Sequence, residues 1–138
     1  MNNILLASHG NLAIGLKNTV EFFLGDSKNI ISVAAYIDSS DEYLKVINDF
    51  IDNVDEKDAI IFTDIFGGSV NQQVTTLVYN SGKKIPIIAN MNLPIVMQLA
   101  LSDEFNLLKL EEEINECLPK LVTLEIDDKE DELDDFFE

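Results

Sequence analysis

Tryptophan is absent, cysteine and histidine occur once each, as Cys117 and His9, and only nine residues are Lys or Arg. A lone cysteine cannot close an internal disulfide, so the fold has to stand on its hydrophobic core. A lone histidine excludes metal sites built from several imidazoles. Against nine basic residues stand 26 acidic ones, a formal net charge of −17. Nucleic acid and anionic membrane surfaces both demand a basic patch, so neither is expected as a partner. No apolar run approaches the ~20 residues that span a bilayer. The opening MNNILLASHG also lacks the basic stretch that begins a secretory signal. The expectation is a cytoplasmic protein with no direct membrane insertion. What is present suffices for one folded domain: 46% of the 138 residues are hydrophobic and 25% are charged.

Four short apolar runs are spaced like strand–helix units: Ile4-Leu5-Leu6-Ala7, Ile30-Ile31-Ser32-Val33-Ala34, Ala59-Ile60-Ile61-Phe62 and Ile85-Pro86-Ile87-Ile88-Ala89. Continuous rather than alternating apolar runs suit strands buried on both faces. Helical spacing fills the gaps, with Leu12, Leu16, Val20, Phe23 and Leu24 in the first, ahead of Gly25 as a C-terminal cap. The second gap has Leu44, Ile47, Phe50, Ile51 and Val54, with Ser39 and Glu42 as a capping box. The third has Val70, Val74, Leu77 and Val78, closed by Ser81-Gly82. Pro94 suits the first turn of a fourth helix reaching about Leu101, and a fifth is expected over residues 104–117. Leu121-Val122-Thr123-Leu124-Glu125-Ile126 reads as a further strand. The fold expected is α/β: a doubly wound, mainly parallel four-stranded sheet with helices on both faces, over residues 1–126. Residues 127–138 form an acidic tail. From residue 125 to the end there are nine acids and one base, Lys129, a balance of −8 that leaves −9 for the rest.

In a doubly wound sheet, sites lie beyond the carboxyl ends of the strands, where strand order reverses. The segments there are Ser8-His9-Gly10-Asn11, Asp38-Ser39-Ser40-Asp41, Thr63-Asp64-Ile65-Phe66-Gly67-Gly68-Ser69 and Asn90-Met91-Asn92-Leu93-Pro94. His9 therefore sits in a tight turn at the rim, where a neutral imidazole is a usable nucleophile near pH 7. If strands 1 and 3 are neighbours, Asp64 can reach one ring nitrogen, set the tautomer and leave the other nitrogen free. Gly67, Gly68 and Ser69 open the third helix, and the N–H groups of such a start form an anion cradle of phosphoryl size. The lysine of a P-loop is missing and G-x-G-x-x-G does not occur, so neither a nucleoside triphosphate nor a dinucleotide is suggested. A nucleophilic imidazole, an orienting carboxylate and an anion cradle suit reversible phosphorylation of histidine, with no metal or other cofactor required.

At these residues the chain resembles the IIA component of the mannose-type sugar phosphotransferase system (mannose/fructose/sorbose family). The resemblance runs over residues 2–126 and rests on Ala7-Ser8-His9-Gly10, Asp64-Ile65-Phe66-Gly67-Gly68-Ser69 and Asn90-Met91-Asn92-Leu93-Pro94, in that order. It implies that His9, ahead of Gly10, carries the phosphoryl group and that Asp64 orients its ring. It further implies that Gly68 and Ser69 bind the phosphoryl group, that Phe66 forms a wall, and that Asn92 and Pro94 line the same site. Such proteins are phosphotransferase components that accept phosphoryl from HPr. They pass it to a histidine of a IIB component, which phosphorylates sugar entering through IIC and IID membrane subunits. They are commonly homodimers in which a C-terminal strand crosses between subunits, and residues 121–126 are the matching segment. Many members read Gly-Gly-Ser-Pro-Phe-Asn where this chain has Gly67-Gly68-Ser69-Val70-Asn71-Gln72, so no role is carried over to Asn71. The acidic tail is outside the family pattern. With no IIB domain following, a stand-alone IIA or one subunit of a split enzyme is expected.

Three other readings share part of this pattern. A response-regulator receiver domain needs paired acids after strand 1 and a lysine near the last strand; here His9-Gly10 occupies the first place and no lysine follows strand 4. The phosphotransfer subunit of dihydroxyacetone kinase resembles the same fold but tends to place serine after the histidine, where Gly10 stands here. A regulator controlled by His9 phosphorylation remains an alternative to a carrier.

Overall fold

The computed structural model describes residues 2–26 and 29–124. Strand β1 (Asn3–His9) leads into α1 (Leu12–Leu24), and β2 (Ile30–Ala35) into α2 (Glu42–Asn53). A single 3-10 turn (Glu56–Asp58) precedes β3 (Ala59–Thr63) and α3 (Ser69–Ser81). The last strand, β4 (Ile87–Ile88), is followed by α4 (Leu93–Ala100) and α5 (Leu107–Glu116). The sheet is four-stranded and entirely parallel, in the order β2-β1-β3-β4.

Strand periodicity divides the apolar runs between two cores. Ile4, Leu6, Ile60 and Phe62 face one side and pack with Val20 of α1 and Val96 and Leu99 of α4. Leu5, Ala7 and Ile61 face the other and pack with Ile47, Phe50 and Ile51 of α2 and Val74 of α3. Because both faces are covered, no polar residue alternates along β3, all five residues of which are buried.

Several elements differ from the sequence reading. β4 shrinks to two residues because Pro86 has no N–H to offer the ladder; its carbonyl still accepts from Ile61 N at 3.0 Å. The capping box at Ser39 and Glu42 does not form. Asp41 occupies the cap position of α2 with no side-chain cap hydrogen bond, while Ser40 Oγ accepts from Glu42 N at 3.0 Å. α5 starts later than expected because Asn106 caps it, its side chain accepting from Leu108 N at 3.0 Å. In the single chain residues 121–124 pair with no strand, and Leu121 is 91% exposed. A strand exists only where a neighbour supplies its ladder. Residues 125 and 126, and the whole tail 127–138, lie outside the described residues.

The chain winds from β1 outward to β2, then returns across β1 to β3. The reversal of strand order therefore falls between the carboxyl ends of β1 and β3. Those two ends carry His9 and Asp64.

Candidate active site

His9 is the last residue of β1. The chain leaves it in a tight turn held from beneath by Ser8, whose buried hydroxyl accepts from Ala13 N at 2.8 Å and donates to the Gly10 carbonyl at 3.2 Å. Gly10 turns at φ 57° while its N–H reaches the Ala35 carbonyl at 2.8 Å. Asp64 follows β3 directly, and the β1–β3 register, with Ala7 opposite Thr63, brings it alongside His9. Its Oδ2 accepts two hydrogen bonds, from the His9 backbone N–H and from ring Nδ1, both at 2.7 Å. Oδ1 is buried and takes no protein hydrogen bond. The Asp64 side chain is largely buried, whereas 44% of the His9 side chain is exposed.

Nε2 of His9 lies 3.0 Å from Ser69 Oγ, at the first residue of α3. Ser69 Oγ in turn lies 3.0 Å from the Tyr36 hydroxyl. These contacts set the protons. A carboxylate accepts only, so in the neutral imidazole the ring hydrogen is on Nδ1 and Nε2 carries a lone pair. Nε2 then accepts the Ser69 proton, and Tyr36 donates to Ser69. The hydrogen bond with Ser69 first, then that with Tyr43, hold the Tyr36 phenol below its ordinary pKa; burial pushes that of Tyr43 up.

The loop from β3 to α3 depends on its two glycines for different reasons. Gly67 takes φ 77°, which a side chain resists. Gly68 has an ordinary φ of −71° but no spare room. A Cβ there would stand 3.1 Å from the Ile65 carbonyl oxygen and 3.7 Å from Cε1 of His9. No side chain caps α3, so the amides of its first turn stay without intrahelical acceptors at the positive end of the helix dipole. Ser69, the first of them, is the residue that meets Nε2.

Asn71, to which no role was carried over, braces this loop. Its Oδ1 accepts from Gly67 N at 3.1 Å and its Nδ2 donates to Thr63 Oγ1 at 2.9 Å. Asn90, at φ 55°, accepts from Phe66 N at 2.8 Å. The Phe66 side chain itself is 74% exposed at the rim. Asn92 is committed to α4: its Oδ1 caps Ile95 N at 3.0 Å and its Nδ2 reaches the Cys117 carbonyl at 2.9 Å. Pro94 occupies the first turn of α4. The structure thus brings His9, Asp64, Gly68 and Ser69 together, while the asparagine that touches the β3–α3 loop is Asn90 rather than Asn92. Tyr36 and Ser8 were missed as well. Tyr36 had one signal, its place directly after β2 on the edge that carries His9.

Among the described residues no cluster of three or more His, Cys, Asp or Glu could hold a metal ion. No described helix is long and apolar enough to cross a membrane.

The likeness to known proteins covers this whole region. The "PTS system fructose-specific EIIA component" of Bacillus subtilis is 27% identical, aligning 96% of this chain with all of that protein. The PTS IIA protein associated with the fucose utilization operon of Streptococcus pneumoniae superposes with a TM-score of 0.72 at 24% identity, over 86% of this chain and 92% of that one. The mannose/sorbose specific IIA subunit of Enterococcus faecalis gives 0.69 at 17% identity, over 91% and 98%. The sequence profile described as EIIA-man, PTS system fructose IIA component, matches residues 3–117, and the chain belongs to that family of sugar phosphotransferase-system IIA components.

Proposed function

We propose that this protein is a phosphocarrier that accepts a phosphoryl group from phosphorylated HPr on Nε2 of His9. It hands the group to a IIB component during sugar uptake, in the cytoplasm, with the IIC and IID membrane subunits engaged only through IIB. The observation that carries this reading is the fixing of both ring nitrogens, Nδ1 by Asp64 at 2.7 Å and Nε2 by Ser69 at 3.0 Å.

The transfer follows from that arrangement. The Nε2 lone pair forms a bond to phosphorus as the donor N–P bond breaks, and that bond's electron pair stays on the donor nitrogen. Nδ1 keeps its proton, so the ring gains positive charge next to the buried Asp64 carboxylate, whose Oδ1 is otherwise unpaired. The phosphoryl oxygens meet the Ser69 hydroxyl and the first amides of α3, an arrangement suited to a loose transition state that needs alignment and charge stabilisation. Onward transfer reverses the step, the electron pair returning to Nε2 and the ring becoming neutral. Both partners offer protein histidines, so the sugar is selected elsewhere.

Incubation with enzyme I, HPr and phosphoenolpyruvate is expected to add one phosphoryl group, labile in acid and stable in base, and none to His9→Ala. An acid-stable phosphate, or label on His9→Ala, would overturn the assignment.

The same reading has the chain acting as a homodimer through residues 121–126. Leu121, Val122 and Leu124 are exposed in the single chain, and a second subunit would cover them and complete a ladder. Light scattering should give twice the chain mass, and a chain ending at Leu118 should lose the dimer. A monomeric full-length protein contradicts this.

A further inference from the structure

We propose that Tyr36 is a positioning residue of this site. Its hydroxyl holds Ser69 so that the serine O–H points at the His9 Nε2 lone pair at rest and at a phosphoryl oxygen after transfer. The inference rests on the phosphocarrier reading of His9 and concerns a residue that the family resemblance left without a role.

Tyr36 stands one residue beyond β2, whose last residue, Ala35, is paired with His9. Its backbone takes φ 63°, a left-handed conformation that a bulky aromatic residue rarely adopts. Such a conformation persists only where the surroundings over-determine it. Burial does not do so, because Tyr36 is half exposed. Its ring lies 5.2 Å from the His9 imidazole, tilted by 33°, and 5.5 Å from the ring of Tyr43. A phenylalanine would keep both ring contacts. Only the hydroxyl, 3.0 Å from Ser69 Oγ, asks for tyrosine.

The hydroxyl acts through proton direction. Ser69 has one proton and starts a helix, where a serine hydroxyl is free to turn toward nearby backbone groups. Tyr36 fills an acceptor position on Ser69 Oγ and leaves the Ser69 proton directed at Nε2. When phosphorus bonds to Nε2 that lone pair is consumed, and the Ser69 proton turns to a phosphoryl oxygen while Tyr36 retains Oγ. No proton enters or leaves the site.

The test compares Tyr36→Phe, Ser69→Ala and the double variant by two measurements. The first is the rate of phosphoryl acceptance from HPr. The second is the nitrogen-15 resonance of His9 Nε2 in the unphosphorylated protein, which needs no activity. Tyr36→Phe is expected to slow acceptance about three- to tenfold, the worth of one neutral hydrogen bond. It should also move the Nε2 resonance toward that of a free, unprotonated ring nitrogen. Added to Ser69→Ala, it should change nothing further. An unchanged Nε2 resonance in Tyr36→Phe, or an unchanged rate, overturns the proposal. So does a Tyr36→Phe effect that survives undiminished on the Ser69→Ala background, which would assign it to the ring. A wild-type protein that takes no phosphoryl group overturns the phosphocarrier reading instead, and the resonance comparison still decides whether Tyr36 acts on His9 through Ser69.

Discussion

The two edges of the sheet use unusual backbone and polar side chains in opposite ways. At the carboxyl edge each strand is followed by one residue of positive φ: Gly10 after β1, Tyr36 after β2, Gly67 after β3 and Asn90 after β4. Two of the four are not glycine, so strain is held there. At the amino edge the positive-φ residues among those described are Gly25 and Gly82, both ending helices, where glycine adopts the turn at little cost. Hydrogen bonding divides the same way. At the amino edge polar side chains serve backbone groups, carbonyls above all. Asn29 reaches Asn2 O at 2.6 Å, Asn2 reaches Ser102 O, and Lys83 Nζ gathers the carbonyls of Ile51, Asp52 and Val54 at 2.7, 3.2 and 2.8 Å. At the carboxyl edge Ser8, Asn71 and Asn90 also bond to backbone, but there side chains bond to one another as well, in an unbroken line from Asp64 through His9 and Ser69 to Tyr36. The first pattern closes a fold, whereas the second holds the Nε2 lone pair of His9 against the Ser69 hydroxyl at a partly exposed rim.

Changes at the two edges are therefore expected to separate stability from transfer. The largest effect is expected from Asp64→Asn. Losing a charged hydrogen bond is worth roughly 1.5–3 kcal/mol, or about ten- to a hundredfold in the rate from HPr and to IIB if expressed in the transition state. An asparagine amide also presents N–H to the ring and favours the wrong tautomer. Rates are measured for both steps with circular dichroism as the fold control; wild-type rates in a folded Asp64→Asn protein would reduce Asp64 to a turn residue.

A glycine pair sharpens the comparison further. Gly67→Ala and Gly82→Ala place a side chain at nearly equal positive φ, 77° and 76°, each with open space around the new Cβ. Each should cost roughly 1–2 kcal/mol in urea unfolding. Only Gly67→Ala should also slow transfer, by about threefold or more, because it disturbs the loop that presents Ser69. Equal transfer rates in the two variants would break the distinction between the edges.

The fold was legible because strands buried on both faces of a parallel sheet show as continuous apolar runs. His9 and Asp64 were legible because each stands where such a run stops. Tyr36 was not, because in sequence it is one more apolar residue beyond a strand, and its reach toward Ser69 depends on φ 63°. Asn71 was hidden for a related reason. Its work on Gly67 and Thr63 depends on the turn of α3 it occupies, and a family pattern shifted by one residue obscured that. Residues 121–124, read as part of a further strand, pair with nothing in the single chain, since an apolar run shows that a strand is possible but not that a partner is present.

The smallest effect on the site is expected from the most connected cation of the opposite edge. Lys83→Met removes three hydrogen bonds from the end of α2 and should lower unfolding stability by about 1–2 kcal/mol, the loss being moderated by its partial exposure. Phosphoryl transfer by the folded protein should match wild type, and a slowed transfer would show that the two edges are coupled.

The central claim is that Asp64 holds Nδ1 and leaves Nε2 of His9 as the phosphoryl acceptor. Phosphorus–nitrogen coupling in the NMR spectrum of the phosphorylated, nitrogen-15-labelled protein tests it directly, since His9 is the only histidine. The account predicts coupling of phosphorus to Nε2 with the Nδ1 proton retained. Coupling to Nδ1 would contradict it.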